Sequence, residues 1–465
     1  MSSFFGLQIA YSALAAQRQM LETAAHNMAN VSTPGYTRQR VEIGPAQPYP
    51  APGMQNRAGA YQVGSGVRAV SVDRVVDQFL DTQLRVEIGK LAEKEQWEYA
   101  ISQVEGIFNE PGEEGVAAWM AAFWNSWEKL SVNPSETAAR VELIHQASGM
   151  IDSFKRVHDG MVSIQENLDF GITSSADALN NIADRLVALN KSIASAVVAG
   201  YKPNDLIDSR ERLITELQEY SGVRVYYEDN GMVSVHIGGG ILVQEEIANY
   251  VEAVPRPGTA FHDLAWVKTG SLLEIQSGKL HSQAEMRDTY IPQMMNQMDN
   301  LVSTITTAVN AQHVVGYDYY GNLGLDFFTG TTFSTIQLNP AIYADASLVA
   351  AAELPNAPGD GENARLIANL KEARLMSGGL YTSEDYYRGV VARLGVDVRA
   401  AQDDAKNSRV LTRMTEQWRE SVSGVSIDEE MIRIQEAQRA FQAAARVVTA
   451  MDEILVAIIN MGSGR

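Results

Sequence analysis

Seven apolar residues near the end of the chain, Ala437, Phe441, Ala444, Val448, Met451, Leu455 and Ile458, follow one another in alternating steps of four and three. That spacing keeps a narrow apolar stripe on one side of an α-helix, the seam of a coiled coil or of packed parallel helices. The start of the chain repeats the device with Leu7, Tyr11, Leu14, Arg18, Leu21, Ala25 and Met28, of which only Arg18 is polar. Ser32-Thr33-Pro34-Gly35 supplies turn chemistry that stops this first helix near Asn30, and Ser426 with Glu429 forms a capping box ahead of the last one. Two seams at opposite ends of the chain need partners. They are either core helices of one globular domain or helices that lie side by side and offer their stripes to neighbouring subunits. An isolated helix of this length is marginal, so the ends are expected to be poorly ordered until something covers them.

Between the seams the pattern is mainly α with a β-containing middle. Residues 41–72 are rich in Pro and Gly and read as a linker, with short strands near Val67 to Val72. Helical patterns follow at Asp73–Phe108, through the aromatic run Trp119, Phe123, Trp124 and Trp127, and from Asn133-Pro134-Ser135 to Val198. Asn204–Tyr220 is a separate amphipathic helix. Val223, Val225 and Tyr227, then Val233, Val235 and Ile237, alternate around Asp229-Asn230-Gly231 as a β-hairpin. Helix returns at Glu285–Gln312, where Tyr290, Met294, Met298, Leu301 and Ile305 form a stripe, and again near 362–376 and 383–421.

Composition removes several classes of function. The chain has 465 residues, no cysteine, and 57 acidic against 37 basic side chains, for a net charge of −20. Without thiols there is no disulfide framework, zinc–cysteine site or cysteine nucleophile. An acidic surface without a basic run disfavours nucleic acid. The apolar stretch Ile454–Ile459 is too short to span a bilayer, and the first basic residue is Arg18. The chain therefore reads as soluble, without a cleaved secretory signal, and either cytoplasmic or exported by another route.

Motifs for chemistry are weak. The seven histidines are scattered without paired metal spacing. Ser126-Trp127-Glu128-Lys129 matches a serine acyl-transfer pattern by chance, inside an aromatic helix that reads as core packing. Gly238-Gly239-Gly240 reads as a β-turn, and Asp318 to Asp326 lacks the alternating ligands of a calcium loop. Catalytic, cofactor and metal sites are all expected to be absent.

The two ends resemble a known family. Ile9-Ala-Tyr-Ser-Ala-Leu14, Asn27-Met-Ala-Asn30 and Thr33-Pro-Gly-Tyr-Thr-Arg-Gln39 are similar to the N-terminal signature of bacterial flagellar rod, hook and hook-associated proteins. Ser423-Gly-Val-Ser-Ile-Asp-Glu-Glu-Met431, Gln438-Arg-Ala-Phe-Gln-Ala-Ala445 and Ile459-Asn-Met461 match its C-terminal half. The middle narrows the resemblance. Asn204-Asp-Leu-Ile-Asp-Ser-Arg-Glu-Arg-Leu213 looks like the internal signature of the flagellar hook-associated protein 1 family, the first hook–filament junction proteins. Asn310-Ala-Gln-His313, Gly316-Tyr-Asp318 and Gly324-Leu-Asp-Phe-Phe328 are similar to it as well.

The resemblance implies a non-enzymatic structural component joining hook to filament, exported unfolded and assembled extracellularly at the hook tip. It implies five parts: an axial domain of 1–40 with 422–465, the linker 41–72, a helical middle domain (73–221, 283–315, 362–421), a β-rich segment 222–282, and a loop-rich segment 316–361. That last segment stands where many members carry an inserted outer domain. Implied partners are the hook protein, the second junction protein (hook-associated protein 3), further copies of the chain, and an export chaperone seated on the Ala437–Ile458 seam. No nucleic acid, membrane or cofactor is expected. A hook or distal-rod axial protein, or a secreted coiled-coil effector, is the alternative.

Overall fold

The computed structural model describes residues 2–47, 64–110, 112 and 115–462. Pro48, Pro50, Pro52, Gly53 and Gly59 of the expected linker lie outside the described residues. Helix α1 (Ser2–Ala29) is followed by strands β1 (Gln39–Pro45) and β2 (Val67–Arg74), paired antiparallel with an irregularity between Glu42 and Ile43. The edges of the Pro/Gly-rich stretch thus form a ribbon longer than the short strands expected there. Because Asp73 and Arg74 belong to β2, the next helix starts later than its apolar pattern suggested. The Asp77 carboxylate accepts the Phe79 and Leu80 N–H groups and opens α2 (Gln78–Phe108).

Helices α3 (Val116–Val132), α4 (Thr137–Val198) and α5 (Asn204–Tyr220) follow. With 62 residues, α4 is about 93 Å long. Strands β3 (Val223–Tyr227), β4 (Val233–Ile237), β5 (Gly240–Gln244) and β6 (Ile247–Ala248) make one four-stranded antiparallel sheet. Strands β7 (Val251–Pro255) and β8 (His262–Trp266) pair separately. The returning helix begins earlier than expected, as α6 (Gly278–Glu285), and runs through a π turn (Met286–Tyr290) into α7 (Ile291–His313). Short strands β9 (Phe328–Thr329) and β10 (Gln337–Leu338) and the short helix α8 (Pro340–Ala344) come next. Helix α9 (Glu362–Ala368) gives way to a 3-10 turn at Asn369–Lys371, short of the expected 376, before positive φ at Ser377, Gly378 and Gly379 reverses the chain. Helices α10 (Ser383–Ser423) and α11 (Ile427–Gly462) finish the fold.

Two apolar cores share α4. The first joins its N-terminal half, up to Leu168, to α2, α3, α7, α10 and the loops around Phe327, Phe333 and Val349. The second joins its C-terminal half, from Ile172, to α5, α6 and the sheet. Residues 222–282 therefore share a core with two helices, and the division falls inside α4. Residues 316–361 are built into the first core through Phe327, Phe328, Ile336 and Ile342. The aromatic run of α3 is core: Phe123 and Trp127 are fully buried, with Phe327 and Phe328 against them. Among the described residues no helix is long and apolar enough to cross a membrane.

The first and last helices are continuous and lie against each other antiparallel. The carboxamide of Asn27 bonds Glu430 at one end of the pair, while a Cβ on Gly6 would come within 2.7 Å of the Met451 methyl at the other. The residues closed off on α1 are small or polar: Ala10, Ala16, Thr23, Ala24 and Asn27. They lie beside the stripe read from the sequence rather than on it: Ala10, Ala24 and Asn27 each come one position before a stripe residue, and Ala16 and Thr23 two before. Small side chains let the backbones approach, and the larger ones turn aside.

Candidate functional site

The signature motifs from the start, middle and end of the chain meet at the base of the terminal helix pair. Asn27, fully buried on α1, organises the joint. Its amide nitrogen donates to the Gln39 carbonyl (2.9 Å) and to the Glu430 carboxylate (3.2 Å). Its amide oxygen accepts from the Gln39 N–H (3.0 Å) and the Tyr36 hydroxyl (2.8 Å). The Asn27 side chain thus pairs with β1 as a neighbouring strand would. The turn that returns Tyr36 to the helix uses Gly35 at φ +76°, a conformation glycine adopts without Cβ strain. His26 Nδ1 lies 3.0 Å from the Tyr36 hydroxyl. Burial, followed by the charges of Asp205, Asp208 and Glu430, pushes the Tyr36 phenol up from its ordinary value, so it remains a donor.

Helix α5 docks onto the other side of this turn. The Thr37 N–H donates to Asp208 (2.9 Å), and Arg74 on β2 pairs with the same carboxylate (2.7 Å) with both side chains largely buried. Burial raises the Asp208 carboxyl against the opposing pull of Arg74 and Thr37. Gln39 bridges to Asp205 (2.7 Å) and accepts from Asn204 (3.2 Å), whose amide also donates to the Val72 carbonyl. From the third side, Arg38 pairs with Glu429 (2.8 Å) and donates to the Val422 carbonyl (3.2 Å), while its own N–H reaches the Ser423 carbonyl (2.9 Å). The expected capping box is half formed: the Ser426 hydroxyl accepts the Glu429 N–H at 3.4 Å, but the Glu429 carboxylate is spent on Arg38. Removing Asn27, Asp208 or Arg74 strands a buried partner, so the joint fixes the angle at which the helix pair leaves the body.

The seam residues lie along that pair. Leu7, Leu14, Leu21 and Met28 are half-buried, Ala25 is exposed, and Tyr11 is 72% exposed. On α11, Ala437 is buried and Ala444, Val448, Met451 and Leu455 are half-buried, while Phe441 and Ile458 are exposed. Ile454, Val456, Ile459 and Met461 are exposed as well, a larger apolar surface than a lone helix pair ordinarily shows to water. Sequence reasoning missed the joint. It quoted Asn27, Tyr36, Asn204 and Asp208 as parts of motifs, but gave no sign that they meet.

The weak chemical motifs have structural places. Ser126 donates to the Phe123 carbonyl inside α3 (2.6 Å). Gly238 and Gly239, both with positive φ, turn β4 into β5. Asp318 closes its own turn by accepting the Tyr320 and Asn322 N–H groups at 2.8 Å. Among the described residues no three His, Asp or Glu side chains cluster as a metal site.

Known proteins resemble the chain in sequence and in fold. Residues 101–328 match the family model described as the flagellar hook-associated protein FlgK helical domain. Residues 7–37 match the flagella basal body rod protein family, and 419–461 the flagellar basal body rod FlgEFG protein C-terminal family. Flagellar hook-associated protein 1 of Bacillus subtilis (strain 168) is 32% identical over all of this chain and 99% of its own length. The protein of that name in Escherichia coli (strain K12) is 25% identical over 97% of this chain and 98% of its own. The solved flagellar hook junction protein FlgK from Burkholderia pseudomallei superposes with a TM-score of 0.67 at 14% identity, covering 73% of this chain and 100% of that one. In sequence across its whole length, and in fold, the chain belongs to the flagellar hook-associated protein 1 family.

Proposed function

We propose that the protein is a structural component of the bacterial flagellum that joins hook to filament. The observation that carries this reading is the helix pair α1/α11, fixed to a helical body by a buried polar joint while Tyr11, Phe441, Ile454, Ile458 and Ile459 are left exposed. Such a pair is built to be completed by neighbours. In this reading Leu7, Tyr11, Leu14, Leu21, Ala25 and Met28, with Ala437, Phe441, Ala444, Val448, Met451, Leu455 and Ile458, form the packing seam between copies. The hook protein lies below, and the second junction protein, hook-associated protein 3, lies above. The chain leaves the cell unfolded, without disulfides to obstruct passage, and an export chaperone covers the α11 stripe beforehand. The role is mechanical and needs no catalytic group or cofactor.

A hook or distal-rod protein would carry mostly β structure between its terminal helices, whereas the body here is helical from α2 to α5. A secreted coiled-coil effector has no need for the rod-type sequences at both ends. The test is imaging of cells lacking the protein. Hooks without filaments, with flagellin shed into the medium, are the expected result. Normal filaments would overturn the reading.

A further inference from the structure

Between α2, the α6–π-turn segment and α10 lies a groove of about 470 Å³, far from the terminal helices. Its walls carry Glu93, Glu285, Asp397 and Asp404 beside the rings of Trp97 and Tyr290. Lys94 and Arg393 are the fixed cations that line it, so the four carboxylates leave it net acidic. Lys94 reaches Asp404 at 3.5 Å, His281 approaches Glu93 at 3.8 Å, and Asp397 accepts the Tyr290 hydroxyl at 3.1 Å. Trp97 and Tyr290 meet edge to face with centroids 5.6 Å apart. The chain stacks Arg140, Arg210, Lys279 and Arg287 on other rings, but among the described residues no lysine or arginine stacks on Trp97.

Two further observations point to an occupant. Ser282 lines the groove while only 1% exposed, and its hydroxyl has no hydrogen-bond partner among the described residues. A buried hydroxyl left unpaired is costly and is ordinarily met by something. Tyr290 is presented by the π turn, a backbone form that concentrates at functional positions. An aromatic ring and an unsatisfied hydroxyl lining one groove with four carboxylates are complementary to one chemical class.

We propose that this groove binds an organic cation, a primary ammonium or guanidinium group. Its charge lies over Trp97 between Asp397 and Asp404, and Ser282 accepts one of its N–H groups. The site is independent of the hook–filament role and stands or falls separately.

Calorimetric titration of the full-length protein with spermidine, and separately with a lysine-rich peptide, tests it. Sodium chloride at matched ionic strength is the control. Saturable binding is expected, weakened about tenfold by Trp97→Leu or by Asp397→Asn with Asp404→Asn, and accompanied by a shift of the Trp97 indole resonance. Saturation by spermidine alone assigns a free polyamine, and saturation by the peptide assigns a partner's side chain. Absence of saturable binding by both probes, heats reproduced by sodium chloride, or affinity unchanged in the variants would overturn the proposal. Should Trp97→Leu fail to fold, the Asp→Asn pair, at a partly exposed and an exposed position, decides the matter alone.

Discussion

The body and the terminal pair are both helical, yet they place their large apolar side chains oppositely. In the body, Trp127, Phe123, Phe154 and Phe327 are fully buried. In the terminal pair, the enclosed apolar residues are Ala10, Ala16, Ala24 and Ala437, while Tyr11, Ile459 and Met461 are 72%, 65% and 76% exposed. A core that keeps its largest side chains is complete in one chain. A pair that closes on small residues and leaves Tyr11, Ile454, Ile458 and Ile459 exposed holds its binding energy in reserve.

The sharpest way to break this contrast is to cut into the body. Trp127→Ala removes a ring packed against Phe123, His313 and Phe327, and should cost about 3–5 kcal/mol in denaturant unfolding. A cost as small as that of a terminal substitution would erase the distinction.

Acid should act next, and again on the body. His313 is buried, its Nδ1 2.5 Å from the Leu325 carbonyl and its Nε2 accepting the Ala350 N–H at 2.9 Å. That arrangement requires the neutral ring, and burial lowers its pKa from 6.5 to about 4. A lowered histidine binds more protons unfolded than folded. Its contribution is therefore complete above pH 6.5 and is lost as pH falls towards 4, about 3 kcal/mol in all. Unfolding measured across that window should show the slope, and His313→Gln should flatten it.

The joint stands between the two regions. Asn27→Ala strands the Gln39 N–H and Glu430, and should cost about 1–3 kcal/mol. The loss should appear as faster amide exchange across residues 1–30 while α4 stays protected. Those ends are expected to exchange readily even in the wild-type monomer, and full protection there would contradict their dependence on neighbours. The smallest effect belongs to the outward stripe. Tyr11→Ala and Ile458→Ser should shift the stability of the lone chain by no more than about 0.5 kcal/mol. They should nonetheless impair filament attachment in motility assays.

The helices were legible wherever local chemistry sets them. Pro134 and Ser135 mark the approach to α4, Asn204–Tyr220 coincides with α5, and Asp229-Asn230-Gly231 turns β3 into β4. The packing face of α1 was not, because hydrophobic weight favours Leu7, Leu14 and Leu21, whereas close helix approach favours Ala10 and Ala24. Strand β2 was expected near Val67–Val72, but its partner β1 was hidden by the prolines and glycines concentrated after it. The joint was least visible of all. Asn27, Asp208 and Glu430 sit in three separate motifs and give no sign of meeting until segments up to 403 positions apart come together and exclude water. Local sequence specifies hydrogen-bonding capacity, and only the assembled fold supplies its partners.

Helix α4 runs through both cores without a loop between them. A strain applied at the sheet-bearing end therefore reaches the α3 end through one continuous ladder of backbone hydrogen bonds, with no flexible connector to absorb it. In a rotating assembly, such a part behaves as a rigid spoke that transmits torque along its length.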